Sequence, residues 1–153
     1  MSIKFYKSVP PYGYLNNFDT HPIYVFDRKW DSVEHAYQAQ KTFNSEEYDA
    51  IWKAKTPRIA RDLGQVVTMR SDWNDIKYSV MKECVLAKFT QHSHLQEQLL
   101  ATGDEVLIED SPIDWYWGCG ADGTGKNKLG MILMEVRKEI RDGKEKASQN
   151  TAV

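Results

Sequence analysis

The chain is poor in the residues that would place it in several common classes. Its 153 residues include two cysteines and four histidines, and twenty basic residues nearly balance twenty-two acidic ones, for a net charge of −2. Two cysteines in unrelated contexts, Cys84 and Cys119, exclude a secreted disulfide scaffold. The balanced charge excludes a general grip on nucleic acid through counterion release, but it leaves room for a local basic pocket holding one phosphorylated molecule. Long apolar runs are missing too. The longest, Leu129 to Met134, is far short of the ~18–20 residues of a bilayer helix, so no membrane partner is expected. The first residues do not read as a secretory leader, and the expected compartment is the cytoplasm. What the chain does have is 41% hydrophobic and 12% aromatic residues, enough for one packed core.

The apolar pattern assigns most of the chain to helices. Ile3–Tyr6 and Ile23–Phe26 are β-branched and aromatic and flank a turn-prone segment from Val9 to Asn17, which reads as a short sheet with a long connecting loop. Ser32 then caps a helix in which Val33, Ala36, Tyr37, Gln40 and Phe43 recur at helical spacing. Further helices are expected over Glu46–Ala54, from Thr56-Pro57 to Gly64, over Trp73–Phe89, over Ser93–Ala101 and over Leu129–Ile140. Glu105–Ile108 reads as another short strand. The expected fold is α+β, a mostly helical single domain over residues 1–140 with a few short strands. Residues 141–153 lack an apolar period and are expected to form a flexible tail.

Two motifs look like known chemistry and fail on inspection. Gly120-Ala121-Asp122-Gly123-Thr124-Gly125-Lys126-Asn127 is one substitution from a phosphate loop, but Asn127 replaces the magnesium-binding hydroxyl and Asp122 sets a negative charge among the amides. Asp31-Ser32-Val33-Glu34-His35 resembles an inverted zinc-protease pattern but has Asp31 at the first ligand position. No metal is expected. His92-Ser93-His94 reads as a solvated or capping pair, and Cys84 as core.

More promising chemistry lies on the helix after Ser32. Glu34, Gln38 and Lys41 recur at i, i+4 and i+7, so an acid, an amide and an amine share one face. That face is either an ordinary wet surface or a pocket wall with Glu34 as general acid or base. Asp114 supplies a second carboxylate, just ahead of Trp115 and Trp117, whose rings must pack on a flat heterocycle or on the core.

These blocks resemble the NADAR family, also called YbiA-like. The resemblance runs from Phe5 to about Ile140. Its marks are Tyr12-Gly13-Tyr14-Leu15-Asn16-Asn17-Phe18, Trp30-Asp31-Ser32-Val33-Glu34-His35-Ala36-Tyr37-Gln38-Ala39-Gln40-Lys41, Asp72-Trp73, Lys88-Phe89, Asp114-Trp115-Tyr116-Trp117-Gly118 and Gly123-Thr124-Gly125-Lys126-Asn127-Lys128-Leu129-Gly130. It implies an N-glycosidase acting on ribosylated amines or on ADP-ribose attached to a base, with functional groups at Glu34, Asp114, Trp117, Gly118, Gly13, Asn17 and Phe18. Asn16 stands where the family usually has serine, and Gln65 where it often has arginine.

Breaking an N-glycosidic bond builds positive charge at the sugar C1 and negative charge on the leaving nitrogen, and two carboxylates can divide that work. Glu34 is expected as the acid/base residue, and Asp114 as the stabiliser of the sugar cation or the holder of the ribose hydroxyls. Trp117 and Trp73 would stack on the heterocycle, while Gln38 would orient the substrate and Asn127 open the last helix beside it. Lys41 would bind phosphate or form a Schiff base with a ring-opened sugar. Arg58, Arg61 and Lys126 are further phosphate candidates. No cofactor is expected. The expected partner is a small ribosylated or phosphorylated molecule, such as a pyrimidine intermediate of riboflavin synthesis, or else an ADP-ribosylated guanine in nucleic acid. The rival reading is a non-catalytic ADP-ribose or NAD binding module, in which Glu34 is a ribose ligand only.

Overall fold

The helix that carries Glu34 is built around an interlocked start. In this computed structural model, which describes residues 1–151, Ser32 is extended and its hydroxyl accepts the backbone N–H of His35 at 3.1 Å. The His35 ring spans two partners, Ser32 Oγ at 2.7 Å and the Ala54 carbonyl at 2.9 Å. A carbonyl only accepts, so Nε2 carries the proton and Nδ1 takes the Ser32 hydroxyl. Helix α1 (Val33–Ala39) follows, and all seven of its residues are buried. It packs against α2 (Ser45–Trp52), α3 (Pro57–Gly64) and α4 (Trp73–Gln91). The Asn44 and Thr56 side chains cap α2 and α3, and Pro57 opens α3 where its missing N–H costs nothing. Helices α5 (Ser93–Ala101) and α6 (Lys128–Thr151) complete the helical layer.

The strands pair differently from the expected sheet. β1 (Ser2–Phe5) runs parallel to β4 (Val106–Glu109), with Ser2 opposite Val106 and Phe5 opposite Glu109. β2 (Ile23–Val25) instead forms a hairpin with β3 (Arg28–Trp30). Phe26 and Asp27 turn that hairpin at φ 53° and 63°, the left-handed conformation a two-residue hairpin turn demands. Arg28-Lys29-Trp30 buries only its tryptophan, so it carries no apolar alternation to mark it as a strand. The parallel pair needs a partner about a hundred residues away, brought into register by α6 packing on β4.

Helix α4 buries Trp73, Met81, Cys84, Val85, Lys88 and Phe89, while Ile76 and Val80 of the expected inner face are only partly covered. Lys88 is 2% exposed. Its ammonium donates to the Tyr14 carbonyl at 2.5 Å and the Asn16 carbonyl at 3.2 Å and pairs with Asp19 at 3.2 Å, tying the loop after β1 to the core.

The last helix does not stop at Ile140. Arg141 pairs with Asp104 at 3.0 Å and donates to the Gly103 carbonyl at 2.6 Å, so the body of the fold reaches one residue past the expected boundary. The helix continues to Thr151 with residues 143–149 exposed; Ala152 and Val153 of the expected tail lie outside the described residues. Among the described residues no helix is long and apolar enough to cross a membrane.

Candidate active site

Five parts of the fold converge on a cavity of about 740 Å³. The loop after β1 contributes Lys7, Asn16, Asn17 and Phe18, and α1 contributes Glu34, Tyr37 and Gln38, with Lys41 just past its end. Arg58 and Arg61 come from α3, with Gln65 beyond it, Met81 comes from α4, and the end of β4 with the loop after it supplies Glu109, Asp114 and Trp117. The volume suits a phosphorylated nucleoside-sized molecule.

Glu34 is 6% exposed. Its Oε1 accepts from Gln38 Nε2 at 2.7 Å, and its backbone N–H donates to the Asn17 carbonyl at 3.2 Å, which joins α1 to the loop after β1. Burial pushes the Glu34 carboxyl above its ordinary range. The Gln38 bond, Lys41 and Arg61 pull it back, while Asp114 adds to the rise. Burial acts on Lys41 in the opposite sense, lowering its pKa, and Glu34 resists. The buried Glu34 acid and the half-buried Lys41 amine are thus both driven toward their uncharged forms. Asp114 sits in a tight turn: its Oδ1 accepts from the N–H groups of Tyr116 at 3.0 Å and Trp117 at 2.7 Å, and its own N–H donates to Ser111 Oγ at 3.2 Å. That turn sets the Trp117 ring edge-on to Tyr37, with centroids 5.5 Å apart.

Of the residues expected from sequence, Glu34, Asp114, Lys41, Asn17, Phe18, Gln38 and Trp117 line this cavity. Gly13, Trp73, Gly118 and Asn127 do not, and each has a positional task instead. Trp73 is 3% exposed and packs on Tyr37 at 5.2 Å, so it backs the cavity wall rather than stacking on a ligand. Gly13 begins a 3-10 turn, and a Cβ there would lie 2.6 Å from the Ser8 carbonyl carbon. A Cβ on Gly118 would lie 3.0 Å from the Asp114 and Glu109 carbonyl oxygens. Asn127, at φ 50°, accepts the Glu109 N–H on its Oδ1 and donates from Nδ2 to the Leu107 carbonyl, both at 2.9 Å, clamping the loop onto β4. Arg61 lies over the Phe18 ring at 5.8 Å. Lys126 lies outside the cavity, near the Tyr116 ring at 5.9 Å.

Glu109 also lines the cavity, and the sequence alone gives it no role. Burial, then Asp114 and Glu34, push its carboxyl up to about 8. The strand was expected to end at Ile108, which set Glu109 in the loop; the signal that points to it is an acid ending an apolar strand five residues before Asp114. Tyr37 lines the cavity too, although its helical spacing marks it only as part of the apolar face.

The remaining candidates stay apart from the cavity. His92 and His94 approach His21, with ring centroids 5.2 and 5.4 Å away, and His92 donates to the Pro22 carbonyl at 2.5 Å. Among the described residues no group of His, Cys, Asp and Glu has the geometry to hold a metal ion. Both cysteines are buried, and burial raises both thiol pKa values, which makes them poor nucleophiles.

A family model described as the NADAR domain matches residues 4–141. This chain belongs to the NADAR family. An N-glycosidase of Nostoc punctiforme is 48% identical over 147 residues, covering 93% of this chain and 94% of that one. The N-glycosidase YbiA of Escherichia coli K12 is 38% identical over 140 residues, covering 90% and 88%. A riboflavin biosynthesis protein of Vibrio vulnificus is 42% identical over 144 residues, covering 92% of this NADAR chain and 39% of that longer one. The solution structure of E. coli YbiA superimposes with a TM-score of 0.87 at 37% identity, covering 94% of this chain and 89% of that one. The mostly helical α+β architecture is therefore the NADAR fold.

Proposed function

We propose that this NADAR-family hydrolase of N-glycosyl bonds acts on a small phosphoribosylated amino-heterocycle, such as a phosphoribosylamino-pyrimidine, in the cytoplasm. The observation that carries the reading is the meeting of Glu34, Lys41 and Asp114 in one cavity whose further lining includes Arg58 and Arg61. The carboxylates suit a reaction that develops positive charge at a sugar carbon, and the two guanidinium groups suit a phosphate. Relatives named for riboflavin biosynthesis support a pyrimidine as the base.

In this mechanism the Lys41 amine gives its proton to Glu34 and attacks C1 of the sugar. The C1–N bond breaks, and its electron pair leaves with the nitrogen of the heterocycle. Asp114 stabilises the positive charge that C1 carries at that point; the ring oxygen then leaves C1 and takes the proton that Glu34 had received, so that a protonated imine joins C1 to Lys41 and Glu34 is a carboxylate again. Water, deprotonated by Glu34, then adds to the imine carbon and releases the free sugar and Lys41. Trp117 supplies a flat wall for the base.

The test is to incubate the protein with a phosphoribosylamino-pyrimidine, with an ADP-ribosylated guanine oligonucleotide and with free ADP-ribose, and to follow release of base and binding. Release from the pyrimidine compound with little from the oligonucleotide is expected. Release from the oligonucleotide alone would move the substrate to nucleic acid, and binding of ADP-ribose with no release from either would make the protein a binding module.

A further inference from the structure

The three carboxylates that line the cavity are held in three different ways. Asp114 Oδ1 already accepts two backbone N–H groups, from Tyr116 and Trp117. Glu34 accepts the Gln38 amide and has Lys41 and Arg61 acting on its charge. Glu109 has neither kind of support. Its Oε2 is buried and has no hydrogen-bond partner among the described residues, and the charges that act on it are those of Asp114 and Glu34, both acids. Three carboxylates sharing one cavity cannot all ionise cheaply, and the proton settles on the one with no donor and no cation to favour its anion.

The backbone of Glu109 is fixed as firmly as its side chain is unpartnered. Its N–H is held by Asn127 Oδ1 at 2.9 Å, and its carbonyl accepts the Cys119 N–H at 2.9 Å. It is also the last residue of β4, in register with Phe5. A strand end anchored on both sides, carrying an acid into a cavity, is how a proton donor is held in place rather than left to swing.

We propose that Glu109 is the general acid that protonates the leaving nitrogen, a role separate from that of Glu34. The inference rests on the N-glycosidase reading above. In the step itself the C1–N bond breaks, its electron pair goes to the nitrogen, and that nitrogen takes the proton from the Glu109 carboxyl group. Glu109 is left as a carboxylate and regains a proton from solvent before the next turnover. The burial that raises its pKa to about 8 keeps it protonated at neutral pH, which is what a donor requires.

A proton on the leaving group matters only when the leaving group needs one. An amino-pyrimidine departs as an anion unless it is protonated, whereas a pyridinium base departs neutral. The experiment compares wild type, Glu109→Gln and Glu34→Gln on a phosphoribosylamino-pyrimidine and on a ribosyl-pyridinium 5′-phosphate. Glutamine keeps the shape of Glu109, and thermal melts establish that the variant is folded. Wild type is expected to release both bases. Glu109→Gln is expected to lose about 100-fold or more in kcat on the pyrimidine compound and only a few-fold on the pyridinium compound, whereas Glu34→Gln loses heavily on both. Equal losses on the two substrates, or no loss on either, in a folded Glu109→Gln overturn the assignment while leaving the N-glycosidase reading intact. A wild-type protein that cleaves neither overturns that reading and this one together.

Discussion

Gln38 donates its side-chain amide to Glu34 Oε1 across one turn of α1, at 2.7 Å, in a helix with no exposed residue. The bond fixes the carboxylate's direction and limits the rise in its pKa that burial imposes. Replacing Glu34 with Gln removes the proposed proton acceptor while keeping the volume. A kcat loss of about 10²–10⁴-fold is expected, with the melting temperature unchanged or raised because a buried charge is gone. Base release and a thermal melt measure both.

Lys41 offers a sharper check on the chemistry. Lys41→Arg supplies a cation and removes the amine proposed to form the imine, so turnover should be lost while substrate binding persists. Borohydride added during turnover should leave a sugar adduct on Lys41, seen by mass spectrometry of the digested protein. Full activity in Lys41→Arg, or no adduct, would limit Lys41 to holding the phosphate.

The fold was legible where local chemistry decides it. Ser32, Asn44 and Thr56-Pro57 announce the starts of α1, α2 and α3, and the face shared by Glu34, Gln38 and Lys41 follows from helical spacing alone. What was not legible depends on contacts distant in sequence. β1 finds β4 a hundred residues on, and the Arg28–Trp30 strand exists because Phe26 and Asp27 adopt a left-handed turn. Trp73 looks like a stacking residue until Tyr37 is seen in front of it. Asn127 looks like part of a phosphate loop until its amide is seen clamping β4. Glu109 is marked locally only as an acid at the end of an apolar strand; its place beside Glu34 and Asp114 depends on contacts distant in sequence.

Stability should depend on pH through Glu109. Its folded pKa of about 8 lies above the ordinary value near 4.5, so between those limits the unfolded chain ionises while the native state keeps its proton. The native state then binds more protons, and its stability contribution, complete below about pH 4.5, falls as pH rises and levels off above about 8. Glu109→Gln should therefore raise the melting temperature at pH 8 and leave it nearly unchanged at pH 4.5. An equal shift at both values would contradict the burial of an ionisable acid.

Asn127 tests the clamp on β4. Asn127→Gly keeps the left-handed backbone and removes both side-chain bonds, which should cost about 1–3 kcal/mol by urea denaturation and lower kcat through Glu109. If Asn127→Gly matches wild type in both, the clamp has no bearing on the site.

The end of the folded body can be located by truncation. A chain ending after Asp142 keeps the Arg141 contacts to Asp104 and Gly103 and should retain full activity and melting temperature. One ending after Ile140 loses them and should melt lower with activity still present. A large activity loss on ending after Asp142 would place functional residues in the last helical turns.

The most direct test of the account is single-turnover release of free pyrimidine from a phosphoribosylamino-pyrimidine, with wild type and Glu34→Gln in excess over substrate and the products resolved by chromatography. The account predicts stoichiometric release by wild type and release at least about 100-fold slower by Glu34→Gln with binding retained. Equal release by the two proteins would contradict it.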